Sequence, residues 1–254
     1  MLRPIGRIAF ADAQGRLPRL GRPPSGPLGA LARRLAEGVA ADLGPDLVSV
    51  ALRGSVARGT DVPGASDLDL VVVRRASDEE PALPPCEVEV EVSAMTLDAL
   101  LHERPFAWMR FALAHSGWTI AGRDVVAELP EPTLGPHCVA HLKSVERWSA
   151  AWPGYLVGDA DEAERRLTCR WLMKRIVRSA FETVMLEIGG YTRDIHPCAE
   201  AAAARHPERA DRIWRAAELA VAPTGDPAAI AAVAEPLVAW LHERRSAVLG
   251  APPP

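Results

Sequence analysis

Apolar residues Leu28, Leu31, Leu35, Val39 and Leu43 recur at helical spacing over residues 25–43, with Arg33, Arg34 and Glu37 outside the stripe and Gly44-Pro45 stopping it. That pattern predicts an amphipathic helix. The chain then enters a run rich in β-branched and apolar residues from Leu47, which breaks abruptly at Gly54-Ser55. A polar, glycine-bearing loop follows, and a second apolar run opens at Asp67-Leu68-Asp69. Two strands joined by a loop are expected. Residues 86–93 alternate glutamate with valine, the two-residue period of a strand, which puts Glu87, Glu89 and Glu91 on one face. Residues 96–101 and 105–115 read as helices and 117–122 as a short strand bounded by glycines. Residues 129–136 hold three prolines and read as a linker. Beyond the linker no strand pattern survives. Helices are expected over 138–151, 162–188, 197–204, 208–221 and 228–249.

Strands followed by helices predict an α+β protein in two domains: a mixed β-sheet with flanking helices over 27–130, then an α-helical bundle over 135–254. At 254 residues the chain is long enough to bury a sizeable core. Residues 1–26 carry five arginines and four prolines and read as a partly ordered leader with a small hairpin around residues 12–15. Neither a secretory apolar core nor an eighteen-residue apolar run is found, so no membrane span is expected. The four cysteines are widely spaced without a CxxC pair, which reads as reduced thiols in a cytoplasmic protein. Net charge is -4, which argues against a dedicated nucleic-acid binder and suits a cationic small substrate.

The chemistry concentrates between residues 47 and 73. Alternation along a strand points Asp67 and Asp69 to one side, while Leu68 and Leu70 point to the other. Two adjacent carboxylates at the head of an apolar strand repel unless a cation sits between them. Mg²⁺, a hard ion that usually arrives with a substrate phosphate, is the natural occupant. Gly54 and Ser55 stand at a corner where exposed backbone N–H groups can cradle phosphate oxygens.

Gly54-Ser55, the spacer over 56–66 and Asp67-Leu68-Asp69 resemble the signature of the polymerase-β-type nucleotidyltransferases, with Arg58, Gly59 and Ser66 matching common choices in the spacer. The resemblance implies a third carboxylate on a neighbouring strand. The run from Glu91 to Met95 is most similar to the corresponding strand of the spectinomycin and streptomycin adenylyltransferases. It favours Glu91, with Glu89 as the alternative. By resemblance, Asp67, Asp69 and Glu91 would hold two Mg²⁺ ions, with Glu91 either the third ligand or the base. Gly54, Ser55, Arg58 and Ser66 would hold the triphosphate of ATP.

A helical second half is the arrangement of the kanamycin- and spectinomycin-type enzymes. Its longest predicted helix, 162–188, repeats Arg170, Lys174 and Arg178 every four residues, and Glu182 continues the row. Either the row is a solvated face, or Lys174 and Arg178 neutralise the triphosphate. Tyr191, in the polar stretch after that helix, offers an aromatic ring for stacking on a base. His137 and His141 stand at metal-pair spacing but lack a third ligand, and read as ordinary histidines. The activity implied is transfer of AMP from ATP to an acceptor hydroxyl with release of pyrophosphate. The acceptor expected is a small molecule such as an aminoglycoside. A protein partner, as in antitoxin-type enzymes, is the alternative, and a non-catalytic nucleotide-binding regulator stands against both. Transfer RNA ranks lower given the acidic balance. The family also admits sites completed across a homodimer.

Overall fold

The computed structural model describes residues 4–62, 66–155 and 160–249. The chain divides into two compact units, Ala11–Thr133 and a second made of Met1–Phe10 with Leu134–Pro254. Residues 1–26, read as one leader, are shared between them. Strand β1 (Ala9–Phe10) belongs to the second unit. Residues beyond it are tied into the first: Arg16 bridges Thr133, Leu17 N–H donates to Pro132 O, and Leu20 N–H donates to His115 O. The expected small hairpin is present, with Gly15 N–H donating to Asp12 O and Asp12 N–H to Arg16 O.

The first unit holds α1 (Gly26–Leu43), β2 (Leu47–Arg53), α2 (Gly54–Arg58), β3 (Leu68–Arg74), β4 (Val90–Thr96), α3 (Leu97–His102), α4 (Ala107–Ser116), β5 (Trp118–Gly122) and α5 (Val125–Glu128). Its sheet runs β4-β3-β2-β5, with β3 and β4 parallel and the other pairs antiparallel, so the sheet is mixed. The central strands β2 and β3 are buried along nearly their whole length, as expected of strands covered on both faces. One face carries Val50, Leu52, Leu70 and Val72 against Leu35, Ala36 and Val39 of α1. The other sets Ala51, Val71, Val73 and Met95 against Leu100 of α3, Leu113 of α4 and Val125 of α5. The glutamate strand is shorter than its alternation suggested. It begins at Val90, and Glu87 and Glu89 precede it as exposed residues. The reason is partnership: β3 begins at Leu68, whose register partner is Val90. Arg110 and His115 have structural partners. Arg110 donates to Leu100 O and Glu103 O, and His115 Nδ1 lies 2.8 Å from Pro18 O.

The second unit holds α6 (Val145–Ala151), α7 (Glu162–Glu182), α8 (Met185–Ile188), β6 (Gly190–Tyr191), α9 (Ile195–Arg205), α10 (Ala210–Val221) and α11 (Pro227–Leu249). Helix α7 starts at a reciprocal capping box, Asp161 with Glu164, and packs against α9, α10 and α11. The expected 162–188 helix breaks at Thr183-Val184. A strand also appears where none was expected, since β6 pairs antiparallel with β1. That pairing buries Tyr191 to 3% exposure, so its ring does not form the open stacking platform suggested by the sequence. Among the described residues all four cysteines are free thiols. Three are buried and Cys86 is partly exposed. No described helix is long and apolar enough to cross a membrane.

The buried His206 of this unit lies 3.0 Å from Thr183 Oγ1 and edge-on to the Trp240 ring. Thr183 Oγ1 already donates to Ala180 O, so the His206 Nε2–H is the donor in that bond. Burial, reinforced by the charge of Arg244, holds its pKa below the usual 6.5. The unfolded chain therefore takes up a proton at a higher pH than the folded chain. Stability from this residue is complete above about pH 6.5 and is lost as pH falls through the lower folded value. The Tm, followed by circular dichroism, is expected to drop on acidification from neutrality, with a shallower slope in His206→Asn. Equal slopes in both proteins would discount the assignment.

Candidate active site

The Gly54 break, the Asp67–Asp69 pair and the glutamate strand meet at one end of the first unit's sheet. Pairing register does this. Arg53 of β2 lies opposite Asp69 of β3, and Asp69 lies beside Glu91 of β4. Arginine, aspartate and glutamate thus form one row across three neighbouring strands. Parallel neighbours in register project side chains to the same face, so the two carboxylates stand side by side. Arg53 Nη2 reaches Asp69 Oδ1 at 2.9 Å and Glu91 Oε1 at 2.7 Å. The guanidinium carbon sits 5.7 Å from the Trp108 ring centroid of α4, within cation–π range.

Exposure differs sharply along the row. The side chains of Arg53 and Asp69 are 14% and 11% exposed, whereas that of Glu91 is 61% exposed. Asp67 is half-buried immediately ahead of β3 and two residues before Asp69. Glu89, the alternative third carboxylate, lies outside the strand and contributes its carbonyl, which accepts Leu68 N–H.

Gly54 is required for two physical reasons. Its φ of +79° is a conformation that side-chain-bearing residues rarely adopt, and a Cβ there would come within 2.0 Å of Asp69 Oδ2. Helix α2 therefore starts directly against the carboxylate. It closes at Gly59 in the left-handed conformation. Ser55 Oγ donates to Ser66 Oγ at 3.2 Å, and Ser66 Oγ accepts Val62 N–H at 2.8 Å, which brings the two serines of the signature together. Arg58 lies in the last turn of α2. Residues 63–65 of the spacer lie outside the described residues.

Lys174 and Arg178 lie in the other unit, half-buried on α7, where Arg178 Nε donates to Arg193 O. Glu182, the last member of their row, is buried instead. Its carboxylate accepts the N–H groups of His141 and Leu142 and pairs with Arg193. Burial pushes its carboxyl pKa up, against the opposing pull of Arg193 and the backbone N–H groups of Leu142, His141 and Ala140. His141 is thereby a partner of Glu182 and Arg193, and the segment carrying it is a turn rather than a helix.

Residues 32–106 match the nucleotidyltransferase domain family. That span, under a third of the chain, is similar to a nucleotidyltransferase domain. The matched span encloses β2, α2, β3, β4 and α3, hence the whole Arg53–Asp69–Glu91 row, and nucleotidyl transfer is the class of chemistry it brings. The fold is similar to that of a spectinomycin adenyltransferase from Enterococcus faecialis, solved with ATP and spectinomycin. The TM-score is 0.57 at 14% sequence identity, over 85% of this chain and 99% of that one. No curated protein sequence matches the chain.

Arg53 is the member of the row that the sequence did not disclose. Its one signal is position: a charged residue closing an otherwise apolar strand, directly before Gly54-Ser55. Such a residue is ordinarily an exposed strand end. Here antiparallel pairing with β3 gives it Asp69 as a partner.

Proposed function

We propose that the protein transfers AMP from ATP to a hydroxyl of a small, cationic, polyhydroxylated acceptor, with release of pyrophosphate. One observation carries the reading: Asp69 and Glu91 stand in register beside the Gly54-Ser55 corner, inside the matched nucleotidyltransferase domain. The donor set suits a hard divalent cation. It is all oxygen, and Gly54 lacks the Cβ that would fill the space against Asp69 Oδ2. Asp67 and Asp69 would hold Mg²⁺, which when bound supplies charge stabilisation to the attacking and leaving oxygens.

The remaining roles fall to the chain's own groups. Gly54, Ser55, Ser66 and Arg58 would bind the triphosphate. Glu91 would take the acceptor's proton. Its exposed carboxylate is open to a hydroxyl arriving from solvent, whereas Asp69 is enclosed. ATP as donor and a small polyol as acceptor are supported by the similar fold solved with ATP and spectinomycin, and by the net charge of -4.

Pyrophosphate release measured with Mg²⁺ and each NTP, across aminoglycosides, RNAs and candidate protein acceptors, tests this directly. Release that needs ATP and one small polyol is expected. Release that instead needs a protein or RNA acceptor would overturn the acceptor class. Glu91→Gln is expected to cut turnover by about 10²- to 10⁴-fold, the range for losing a general base, while Mn²⁺ affinity stays within about twofold. A parallel fall in Mn²⁺ affinity would make Glu91 a metal ligand instead.

A further inference from the structure

The gap between Asp69 and Glu91 already holds a positive charge, the Arg53 guanidinium, bonded through a single nitrogen to both carboxylates. Among the described residues, no group of three His, Cys, Asp or Glu side chains is gathered to hold a metal ion. A guanidinium keeps the Asp69 oxygen at 2.9 Å from its nitrogen, whereas Mg²⁺ draws a carboxylate oxygen to about 2.0–2.1 Å. Both cations compete for Asp69 Oδ1, and each raises the cost of the other.

We propose that Arg53 is a positioning residue that makes metal entry depend on the nucleotide. Without substrate it neutralises Asp69 and Glu91 and holds them in register. When a divalent cation arrives alone, Arg53 stays close by and opposes it. When the cation arrives with a triphosphate, the phosphate charges offset the repulsion and give the guanidinium a new anionic neighbour. Free metal thus binds weakly and metal–nucleotide binds well, so the site assembles only with its donor substrate. The side chain is built for this duty. It is mostly enclosed, stacks against Trp108, and leaves its Nε without a hydrogen-bond partner. Both carboxylates are engaged through Nη2, so a swing of that one group releases both together.

The inference rests on the metal-binding reading above, and one titration separates the two. Mn²⁺ binding would be followed by the electron paramagnetic resonance signal of the free ion, with and without a non-hydrolysable ATP analogue. Wild type, Arg53→Met, Arg53→Lys and Asp69→Ala would be compared. Arg53→Met keeps an apolar stem for Trp108 and removes the charge. It is expected to bind Mn²⁺ alone about tenfold more tightly than wild type, and to gain proportionately less from the analogue. Its metal-free Tm is expected to fall, with Mn²⁺ restoring it, because the carboxylates lose their counter-cation. Arg53→Lys retains the charge and is expected to stay within about threefold of wild type for Mn²⁺ alone. Unchanged Mn²⁺ affinity and unchanged nucleotide enhancement in Arg53→Met, with binding still lost in Asp69→Ala, would overturn the role of Arg53 alone. Binding that survives intact in Asp69→Ala would overturn the metal-binding reading and this inference with it.

Discussion

Replacing Asp69 with alanine is expected to lower nucleotidyl transfer by about 10³-fold or more, the scale of losing a central electrostatic stabiliser of the transition state. Asp69 is the one carboxylate of the site that is enclosed, in register with Glu91, bonded to Arg53 and pressed against the backbone of Gly54. No neighbour can take over its position, because its place in the row is set by the pairing of β2, β3 and β4. The check is steady-state pyrophosphate release together with circular dichroism of the purified variant. Asp69→Asn serves as companion, since it keeps the size of the side chain and one acceptor for Arg53 while removing the charge. A folded Asp69→Ala protein with full activity would remove the site from this end of the sheet.

The largest stability effect is expected in the helical unit. Glu182→Ala should cost about 3–5 kcal/mol, as breaking a buried ion pair does when one partner is left behind. Glu182 is 2% exposed, accepts Leu142 N–H at 2.7 Å and His141 N–H at 3.2 Å, and pairs with Arg193 at 3.4 Å. Its removal would take an ion-pair partner from the mostly buried Arg193 and would strip the N–H groups of His141 and Leu142 of their acceptor. The helical unit should show this as a Tm lowered by about 10 °C. Glu182→Gln retains an acceptor oxygen and should lose less. A change below about 1 kcal/mol in urea unfolding of Glu182→Ala would show that the pair contributes nothing beyond its hydrophobic replacement.

Much of both units can be read locally. The stripe Leu28, Leu31, Leu35, Val39, Leu43 becomes α1 because a 3.6-residue period needs only neighbours along the chain. Gly54-Ser55 marks the corner because only glycine tolerates the backbone there. The Asp67–Asp69 pair stands out because two charges at the head of an apolar strand have no place in a core. The glutamate strand was read too long for the complementary reason: alternation continues through residues 86–89, but a strand extends only as far as it has a partner.

Other features rest on contacts between distant positions. Tyr191 is polar-flanked in sequence yet buried, because β1, some 180 residues earlier, pairs across it. Glu182 continues a cationic row along α7 but turns into the core, since the fate of a helix face depends on what packs against it. Arg53 is a lone charge at a strand end until antiparallel register supplies Asp69, and parallel register then supplies Glu91. The sequence by itself therefore determined most element types, the Gly-Ser corner and the acidic pair at the head of β3, all of them properties of spacing along one chain. Only the tertiary structure decided which glutamate stands beside Asp69 and which cation lies between them, because strand register is a relation between segments that no single segment encodes.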